Sequence, residues 1–316
     1  MKPVRIWDIH DLTSEEELKL FGANDQYLRL CEELFKINMT VREQKLLFLS
    51  GSEQQANQVI TIFESLLEDI RKDKEIDERD FRYLATQSEQ NKSVLQKNKN
   101  TPVGKTFNSK LIYPKTLGQT RLVKSFYEYD ITFAIGPAGT GKTYLSVVYA
   151  TTLLKQNDIK KIILTRPAVE AGESLGFLPG DLKEKVDPYL RPVYDALYDC
   201  LGLEQAQKLM EKEIIEVAPL AYMRGRTLDD ALIILDEAQN TTLAQMKMFL
   251  TRLGIKSKMI INGDITQIDL KNNQSGLIAA IKILEDIKEI NFVYLDSSDV
   301  VRHPLVQKII EAFKEV

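Results

Sequence analysis

The feature that most constrains this chain is a glycine-rich loop that fits the pattern G-x-x-x-x-G-K-T: Gly136, Pro137, Ala138, Gly139, Thr140, Gly141, Lys142 and Thr143. An apolar run (131–135) precedes the loop, and a helical pattern that begins at Tyr144 follows it. In that context glycines let backbone N–H groups converge on a phosphate, and the helix N-terminus adds the positive end of its dipole. We predict a nucleotide site, with Lys142 at the β- and γ-phosphates and the Thr143 hydroxyl as a ligand of Mg²⁺.

A second apolar run, 231–235, ends in two carboxylates, Asp236 and Glu237, and Asp236 lies 94 residues after Lys142. At the C-terminal end of a parallel strand, side chains face the crevice in which ligands bind. Asp236 is therefore predicted to complete the Mg²⁺ site, and Glu237 to orient or deprotonate an attacking water. Gln267, which follows the next strand, is predicted to sense the γ-phosphate, with Asp264 as a supporting carboxylate.

Short runs rich in Ile, Leu and Val alternate with longer helical patterns in the C-terminal two thirds of the chain. The runs cover 131–135, 161–164, 214–217, 232–235, 259–261 and 292–295. Buried strands without polar alternation are typical of a parallel sheet that is covered on both faces. We therefore predict an α/β fold with helices on both sides of the sheet.

Residues 1–72 are predicted to form a separate small α/β module. The expected order is strand, helix, strand, strand, helix: a short strand at 16–21, a helix at 27–35 and a strand pair at 37–42 and 46–49. Ser52 and Gln55 form a capping-box pattern that should begin the last helix. The two cysteines of the chain, Cys31 and Cys200, do not indicate a disulfide framework.

Residues 73–110, rich in charged and then polar side chains, are predicted to link this module to a domain at 111–316. A strip between 91 and 124 has no Asp or Glu and carries eight basic residues: Lys92, Lys97, Lys99, Lys105, Lys110, Lys115, Arg121 and Lys124. Two interpretations stay open, a solvated linker and a contact strip for a phosphate backbone.

The composition narrows the class of protein. Hydrophobic residues make up 44% and charged residues 28%, values typical of a soluble globular chain, and the net charge of −4 excludes a uniformly basic nucleic-acid coat. The chain lacks a signal peptide and a long apolar run, so we expect a cytoplasmic protein without a membrane segment. With only His10 and His303, a histidine-based metal or nucleophile site is not expected.

Together these motifs resemble the first RecA-like domain of superfamily 1 helicases, a P-loop NTPase fold. The glycine-rich loop is similar to motif I, 165–168 (Thr-Arg-Pro-Ala) to motif Ia, 236–239 (Asp-Glu-Ala-Gln) to motif II and 263–267 (Gly-Asp-Ile-Thr-Gln) to motif III. Gln119, 17 residues before Gly136, lies where that superfamily places a glutamine that reads adenine. Arg166 and the Arg191-Pro192 pair are candidates for nucleic-acid or subunit contacts.

Three longer segments, at 170–181, 188–192 and 221–227, are similar to segments of the PhoH family. That resemblance implies ATP binding and hydrolysis with Mg²⁺, a cytoplasmic location, a homo-oligomeric ring such as a hexamer, and RNA metabolism. Single-stranded RNA and an RNA-processing protein are the implied partners. The N-terminal module resembles a KH-like fold, but its turn at Gly22–Asp25 lacks a second glycine and carries a negative charge. RNA binding and docking or oligomerisation stay open for it.

Arg302, after the last predicted strand, lies where superfamily 1 enzymes place an arginine against the γ-phosphate. It is our candidate catalytic arginine, in cis or from a neighbouring subunit, with Arg224 and Arg226 as alternatives. The chain is too short for a second RecA-like domain, so we expect an ATPase with a single core. The alternatives are a nucleotide-gated module that recruits an RNA-processing partner with little turnover, and an RNA helicase that works only as an oligomer.

Overall fold

The structure is a computed structural model that describes residues 3–71, 76–86, 102–167, 190–270 and 275–301. These residues belong to two compact units, 3–86 and 102–301. The first unit is built from a small antiparallel sheet and four helices. The second is built around a larger parallel sheet. Cys31, in the first unit, and Cys200, in the second, are both free thiols and buried.

The elements of the first unit are β1 (Arg5–Asp8), α1 (Ser14–Phe21), α2 (Gln26–Phe35), β2 (Met39–Arg42), β3 (Lys45–Phe48), α3 (Glu53–Ile70) and α4 (Glu78–Thr86). Its described residues form a three-stranded sheet in the order β1-β3-β2, and both strand pairs are antiparallel. The predicted strand pair, the helix after Gly22–Asp25 and the Ser52–Gln55 capping box are all confirmed.

The strand predicted at 16–21 is wrong, because these residues form α1. A capping box begins this helix: the Glu16 backbone N–H donates to Thr13 Oγ1 over 3.2 Å, and the Thr13 N–H donates to Glu16 Oε2 over 2.8 Å. These bonds satisfy donors that a helix start leaves free. The strand β1 was not predicted. The observed order is therefore strand, helix, helix, strand, strand, helix, helix, and the KH-like resemblance of the unit stays a prediction.

Aromatic side chains fill the core of the first unit. Phe63 of α3 is fully buried and lies at the centre, stacked on Trp7 and edge-on to Phe21 and Phe81. Phe81 also stacks on Tyr27 of α2, so α4 is part of this core. Burial of a phenylalanine of this kind contributes about 1.5–3 kcal/mol.

The elements of the second unit are β4 (Gly104–Lys105), β5 (Leu111–Ile112), α5 (Leu117–Glu128), β6 (Ile131–Ile135), α6 (Lys142–Gln156), β7 (Lys161–Arg166), α7 (Arg191–Leu201), α8 (Leu203–Glu211), β8 (Ile215–Pro219), β9 (Ala231–Leu235), α9 (Leu243–Leu250), β10 (Lys258–Gly263), α10 (Gly276–Leu284) and β11 (Ile290–Tyr294). In the described part of this unit, six parallel strands form one sheet in the order β11-β6-β10-β9-β7-β8. All six predicted strands are confirmed.

Both faces of this sheet are covered, as its continuous apolar strands predict. One face of β9, with Leu232 and Ile234, packs into a core shared with α5 to α8. The other face, with Ile233 and Leu235, packs into a core shared with α9 and α10. The polar loops that end β6, β9 and β10 therefore meet at one edge of the sheet. Among the residues that the structure describes, none of the helices is long and apolar enough to cross a membrane.

Candidate functional site

The glycine-rich loop connects β6 to α6 at the carboxyl edge of the sheet. Gly139 (φ 87°) and Gly141 (φ 83°) adopt the left-handed backbone that side chains disfavour. The Lys142 ammonium folds back over the loop and donates to the carbonyls of Gly136 over 2.6 Å and Pro137 over 2.9 Å. The loop borders a cleft of about 240 Å³ that Lys142 and Thr143 also line. A phosphate in this cleft would offer the ammonium a charged acceptor in place of neutral carbonyls.

The predicted metal-ligating residues, Thr143 and Asp236, lie next to each other. Thr143 Oγ1 donates to Asp236 Oδ1 over 2.6 Å, although 93 positions separate the two residues in the sequence. Asp236 is only 7% exposed, and burial raises the pKa of its carboxyl above the ordinary value, against the lowering effect of the Thr143 hydrogen bond. A carboxylate buried in this way is stabilised by a cation, so its environment fits a metal ligand.

The two oxygens fit Mg²⁺ in kind and number. Mg²⁺ prefers hard oxygen ligands and usually takes one or two from the protein, with substrate phosphates and waters supplying the others. No group of three or more His, Cys, Asp or Glu side chains that could hold a metal occurs in the described ranges. A site built from Thr143, Asp236 and phosphate oxygens needs no such group.

Glu237 follows Asp236 just beyond the end of the strand β9 and lines the same cleft. Its backbone is in the left-handed region (φ 54°, ψ 42°), which costs a residue with a side chain about 1–2 kcal/mol. Its carboxylate is held at both oxygens: Arg166 Nη2 lies 2.9 Å from Oε1, and Gln239 Nε2 donates to Oε2 over 2.5 Å. Backbone strain at a polar residue in a cleft is typical of functional sites.

Sequence reasoning gave Gln239 no role of its own. The side chain is 1% exposed, and besides its bond to Glu237 it accepts a hydrogen bond from the Asp264 backbone N–H over 3.0 Å at Oε1. Its place in the Asp-Glu-Ala-Gln segment that resembles motif II, two residues after a predicted catalytic carboxylate, is the signal that could have pointed to it. Arg166 was a candidate for nucleic-acid or subunit contacts, and its contact with Glu237 was not anticipated.

Gln267 and Asp264 reach the same cleft from the loop after β10. Gln267 is exposed, as a side chain that contacts a ligand has to be. Asp264 is buried, and its Oδ1 accepts from the backbone N–H and the hydroxyl of Thr266 over 2.9 and 2.6 Å. Asp264 Oδ2 is buried and has no hydrogen-bond partner within the described part of the chain. The four strand-end residues predicted from sequence, Asp236, Glu237, Asp264 and Gln267, thus line one cleft.

Gln119, the predicted adenine reader, is buried beside the loop and does not line this cleft. Its Nε2 donates to the Thr140 carbonyl over 3.0 Å, and its Oε1 accepts from the Lys115 backbone N–H over 2.6 Å. In this structure the amide anchors the phosphate loop. Its role in reading adenine stays a prediction.

The segment before Arg302 is also bonded to the loop region. The Val301 backbone N–H donates to the Gly139 carbonyl over 2.9 Å. The buried Asp299 accepts from the Gly118 N–H over 3.0 Å. Val301 is therefore in direct contact with the phosphate loop.

Several other predicted features lie outside the described residues: Arg302, the PhoH-like segment 170–181 and part of 188–192. Of the alternatives to Arg302, Arg226 forms a two-pronged ion pair with Glu216, over 2.6 and 2.7 Å, and Arg224 is exposed. Neither of them lines the cleft, and Arg191 does not either.

Comparison with known proteins agrees with this architecture. A family model described as PhoH-like protein matches residues 111–314. The chain belongs to the PhoH-like family. A PhoH-like protein of Bacillus subtilis (strain 168) is 56% identical over 301 residues, which cover 95% of this chain and 94% of the relative. A PhoH-like protein of Synechocystis is 48% identical and covers 95% of this chain and 92% of the relative.

Protein PhoH of Escherichia coli (strain K12) is 46% identical over 205 residues, 64% of this chain and 58% of that protein. A solved structure of the large terminase from a thermophilic bacteriophage matches 59% of this PhoH-like chain and 45% of its own, at 11% identity and a TM-score of 0.37. That similarity is too distant to inform the site. The PhoH-like chain thus has the P-loop NTPase fold predicted for it, with a glycine-rich loop between β6 and α6.

Proposed function

We propose that this PhoH-like protein binds ATP with Mg²⁺ and hydrolyses it to ADP and phosphate. The observation that carries the proposal is the 2.6 Å contact between Thr143 Oγ1 and Asp236 Oδ1 beside Lys142. It joins a hydroxyl at a helix N-terminus to a buried carboxylate at a strand end, in a cleft that a glycine-rich loop borders. These are the parts that phosphoryl transfer to water requires.

In this proposal the chain holds the triphosphate in place for attack by water. The loop N–H groups and Lys142 bind the β- and γ-phosphates, and the Thr143 and Asp236 oxygens hold Mg²⁺. When bound, Mg²⁺ supplies positive charge to the phosphate oxygens. Glu237 accepts a hydrogen bond or a proton from the attacking water, and Gln267 contacts the γ-phosphate.

The test is ATP turnover in two variants. Lys142→Ala should lose turnover by at least about 10²-fold, because it removes a charge that stabilises the transferring phosphoryl group. Glu237→Gln should keep nucleotide affinity and lose turnover by about 10²–10⁴-fold, the range for loss of a general base. Unchanged hydrolysis in Lys142→Ala would sink the assignment.

A nucleotide-gated module with little turnover is the alternative function. Glu237 has a strained backbone, and each oxygen of its carboxylate is held by a neighbouring side chain. This arrangement favours hydrolysis, because a module that only binds nucleotide does not need a positioned carboxylate. If wild-type turnover stays at background while labelled ATP binds with Mg²⁺, the alternative is correct.

We also propose single-stranded RNA as a partner in the cytoplasm, with an RNA-processing protein as a second partner. Support comes from the PhoH-like resemblance and from the basic strip, where Lys105, Lys110, Arg121 and Lys124 are exposed. The test compares ATP turnover with and without single-stranded RNA, in wild type and in the triple variant Lys105→Ala, Lys110→Ala, Lys124→Ala. Stimulation that weakens in the variant and with salt supports a strip that contacts phosphates. A flat response in wild type contradicts an RNA-driven motor.

We propose a homo-oligomeric ring in which Arg302 acts on the γ-phosphate, either in its own subunit or in a neighbouring one. Lys142→Ala subunits keep Arg302, and Arg302→Ala subunits keep the phosphate loop. If the arginine acts between subunits, a mixture of the two inactive variants regains turnover. If it acts within its own subunit, the mixture stays inactive, and sedimentation measures the subunit number in either case.

A further inference from the structure

We infer that Arg166 and Gln239 form a bracket that positions the Glu237 carboxylate for its work on water. The inference rests on the proposed ATP hydrolysis and adds two positioning residues to it. Neither side chain needs to touch the nucleotide. Each acts through Glu237, and the two hold its two carboxylate oxygens from different directions.

The bracket ties together the ends of three neighbouring strands. Arg166 is the last residue of β7, Glu237 follows β9, and the Oε1 atom of Gln239 accepts from the backbone N–H of Asp264 after β10. These strands are adjacent in the sheet, in the order β10-β9-β7. The position of the carboxylate is therefore set by the sheet itself, because each restraint originates at a strand end.

The bracket leaves lone-pair sites of the carboxylate open to a water. Each carboxylate oxygen has two lone-pair sites, and the bracket uses one on each. Glu237 is about one third exposed at its side chain, so a water can reach the remaining sites. Without the bracket the side chain would be free to rotate among rotamers, and its oxygens would spend less time beside the water.

Arg166 has a second effect, on charge. Asp236 and Glu237 are adjacent in sequence and carry like charges at the same edge of the sheet, and the Arg166 guanidinium offsets that repulsion at both carboxylates. Gln239 orients the carboxylate without adding charge. Its Nε2 donates to Glu237, and its Oε1 accepts from the Asp264 backbone N–H. Both oxygens of Glu237 are thus engaged by groups that are buried or mostly buried, 1% exposed for Gln239 and 19% for the Arg166 side chain.

The first test measures steady-state kinetics of Arg166→Ala and Gln239→Ala. Each should lower kcat by about 10–100-fold, the usual cost of removing a group that orients an active residue. KM and the affinity for a fluorescent ATP analogue should stay near wild type. Arg166→Lys should recover part of kcat, because lysine keeps the charge and loses the planar fork.

The second test combines each change with Glu237→Gln. A residue that acts through Glu237 has nothing left to position. Gln239→Ala and the charge-keeping Arg166→Lys should therefore each be no slower in combination with Glu237→Gln than Glu237→Gln alone, because Arg166→Lys leaves the charge near Asp236 in place. A general structural defect would lower turnover further. Lys160→Ala is the matched control: it removes a cation from the carboxylate of Asp230, 2.8 Å away at the opposite edge of the same sheet, and should leave kcat unchanged.

A third measurement does not depend on turnover. In nucleotide-free protein, Arg166→Ala and Gln239→Ala should speed amide hydrogen exchange in peptides that cover 236–240, and Lys160→Ala should not. Unchanged exchange and unchanged kcat in both bracket variants would overturn the bracket while the Glu237 assignment stands. Faster turnover in Arg166→Ala would also overturn the bracket, because the contact with Arg166 would then slow the reaction of Glu237 with water instead of supporting it. Absence of wild-type turnover would contradict the proposed function, and exchange alone would then decide the bracket.

Discussion

The strand β9 carries an aspartate at each end, and the two are held in opposite ways. Asp230 precedes the strand, is partly exposed, and accepts a hydrogen bond from the Lys160 ammonium over 2.8 Å, which lowers the pKa of its carboxyl. Asp236 follows the strand, is buried against Thr143, and has a pKa raised by that burial. The amino end of the strand thus carries a stabilising carboxylate, and the carboxyl end carries one that opposes stability.

The two ends of β9 thus differ in the surroundings that they give to a carboxylate. At the amino end of β9, the exposed Lys160 and the partly exposed Asp230 are paired with each other, which is the ordinary arrangement for surface groups. The carboxyl end of β9 and the loop after β10 collect features that are unfavourable by themselves: the buried carboxylate of Asp236, and the Oδ2 atom of Asp264, which has no hydrogen-bond partner among the described residues. Such features persist where a ligand compensates for them. The contrast between the two aspartates therefore supports a functional site at the carboxyl end of β9.

The largest expected effect is on turnover. Asp236→Asn should lower the rate of ATP hydrolysis by about 10²–10³-fold, because it removes a charged group from the site of phosphoryl transfer. Asp230→Asn, the same change at the other end of the strand, should leave kcat unchanged. The measurement is steady-state ATP hydrolysis at saturating Mg²⁺. Equal losses in both variants would break the contrast between the two edges.

The next effect is on stability, and its sign should differ between the two ends. Asp236→Asn should stabilise the nucleotide-free protein by about 1 kcal/mol or more, because an asparagine still accepts the Thr143 hydrogen bond and no charge is buried. Asp230→Asn should lower the melting temperature, because Lys160 loses its partner. Thermal unfolding of the nucleotide-free proteins checks both signs. A lower melting temperature in Asp236→Asn would contradict the cost assigned to its charge.

The smallest expected effect is on the pH dependence of stability. Burial raises the pKa of Asp236 in the folded protein. The stability that this carboxyl contributes is therefore fully present below its unfolded pKa, near 4, and is lost as the pH rises through its folded pKa. The lowered pKa of Asp230 gives the reverse: its contribution is present above the unfolded value and is lost as the pH falls through the folded pKa. Melting curves across pH should show that the difference in melting temperature between Asp236→Asn and wild type becomes smaller toward acid pH. The difference between Asp230→Asn and wild type should become smaller there as well. A difference in melting temperature for Asp236→Asn that becomes larger toward acid pH would contradict a raised pKa for the buried carboxyl.

Much of the second unit could be predicted from sequence because its signals are local. Each strand of the parallel sheet is a continuous apolar run, and the phosphate loop is one contiguous motif. The first unit was harder. Leu18, Lys19 and Leu20 alternate as in a strand, and the competing signal, the Thr13–Glu16 capping box, lies just outside that stretch. The hydrogen bonds of the capping box at its first turn stabilise the helix α1.

The contacts within the site were less accessible, because they join distant positions. Apolar periodicity places Asp236 and Asp264 at strand ends, but it does not predict that Gln239 bridges Glu237 to the backbone of Asp264. The Arg166 contact depends on β7 and β9 being neighbours, which follows from the strand order and from no single motif. The residues that line the cleft were therefore easier to predict from sequence than the residues that hold them in place.

The bond between Val301 and Gly139 has a mechanical consequence. Gly139 lies in the middle of the phosphate loop, and the Val301 N–H is 2.9 Å from its carbonyl oxygen. A loop peptide that turns toward an arriving phosphate must stretch this bond, break it, or pull the Val301 backbone along. Occupancy of the loop would thereby displace the backbone at Val301, the last residue of the described range 275–301.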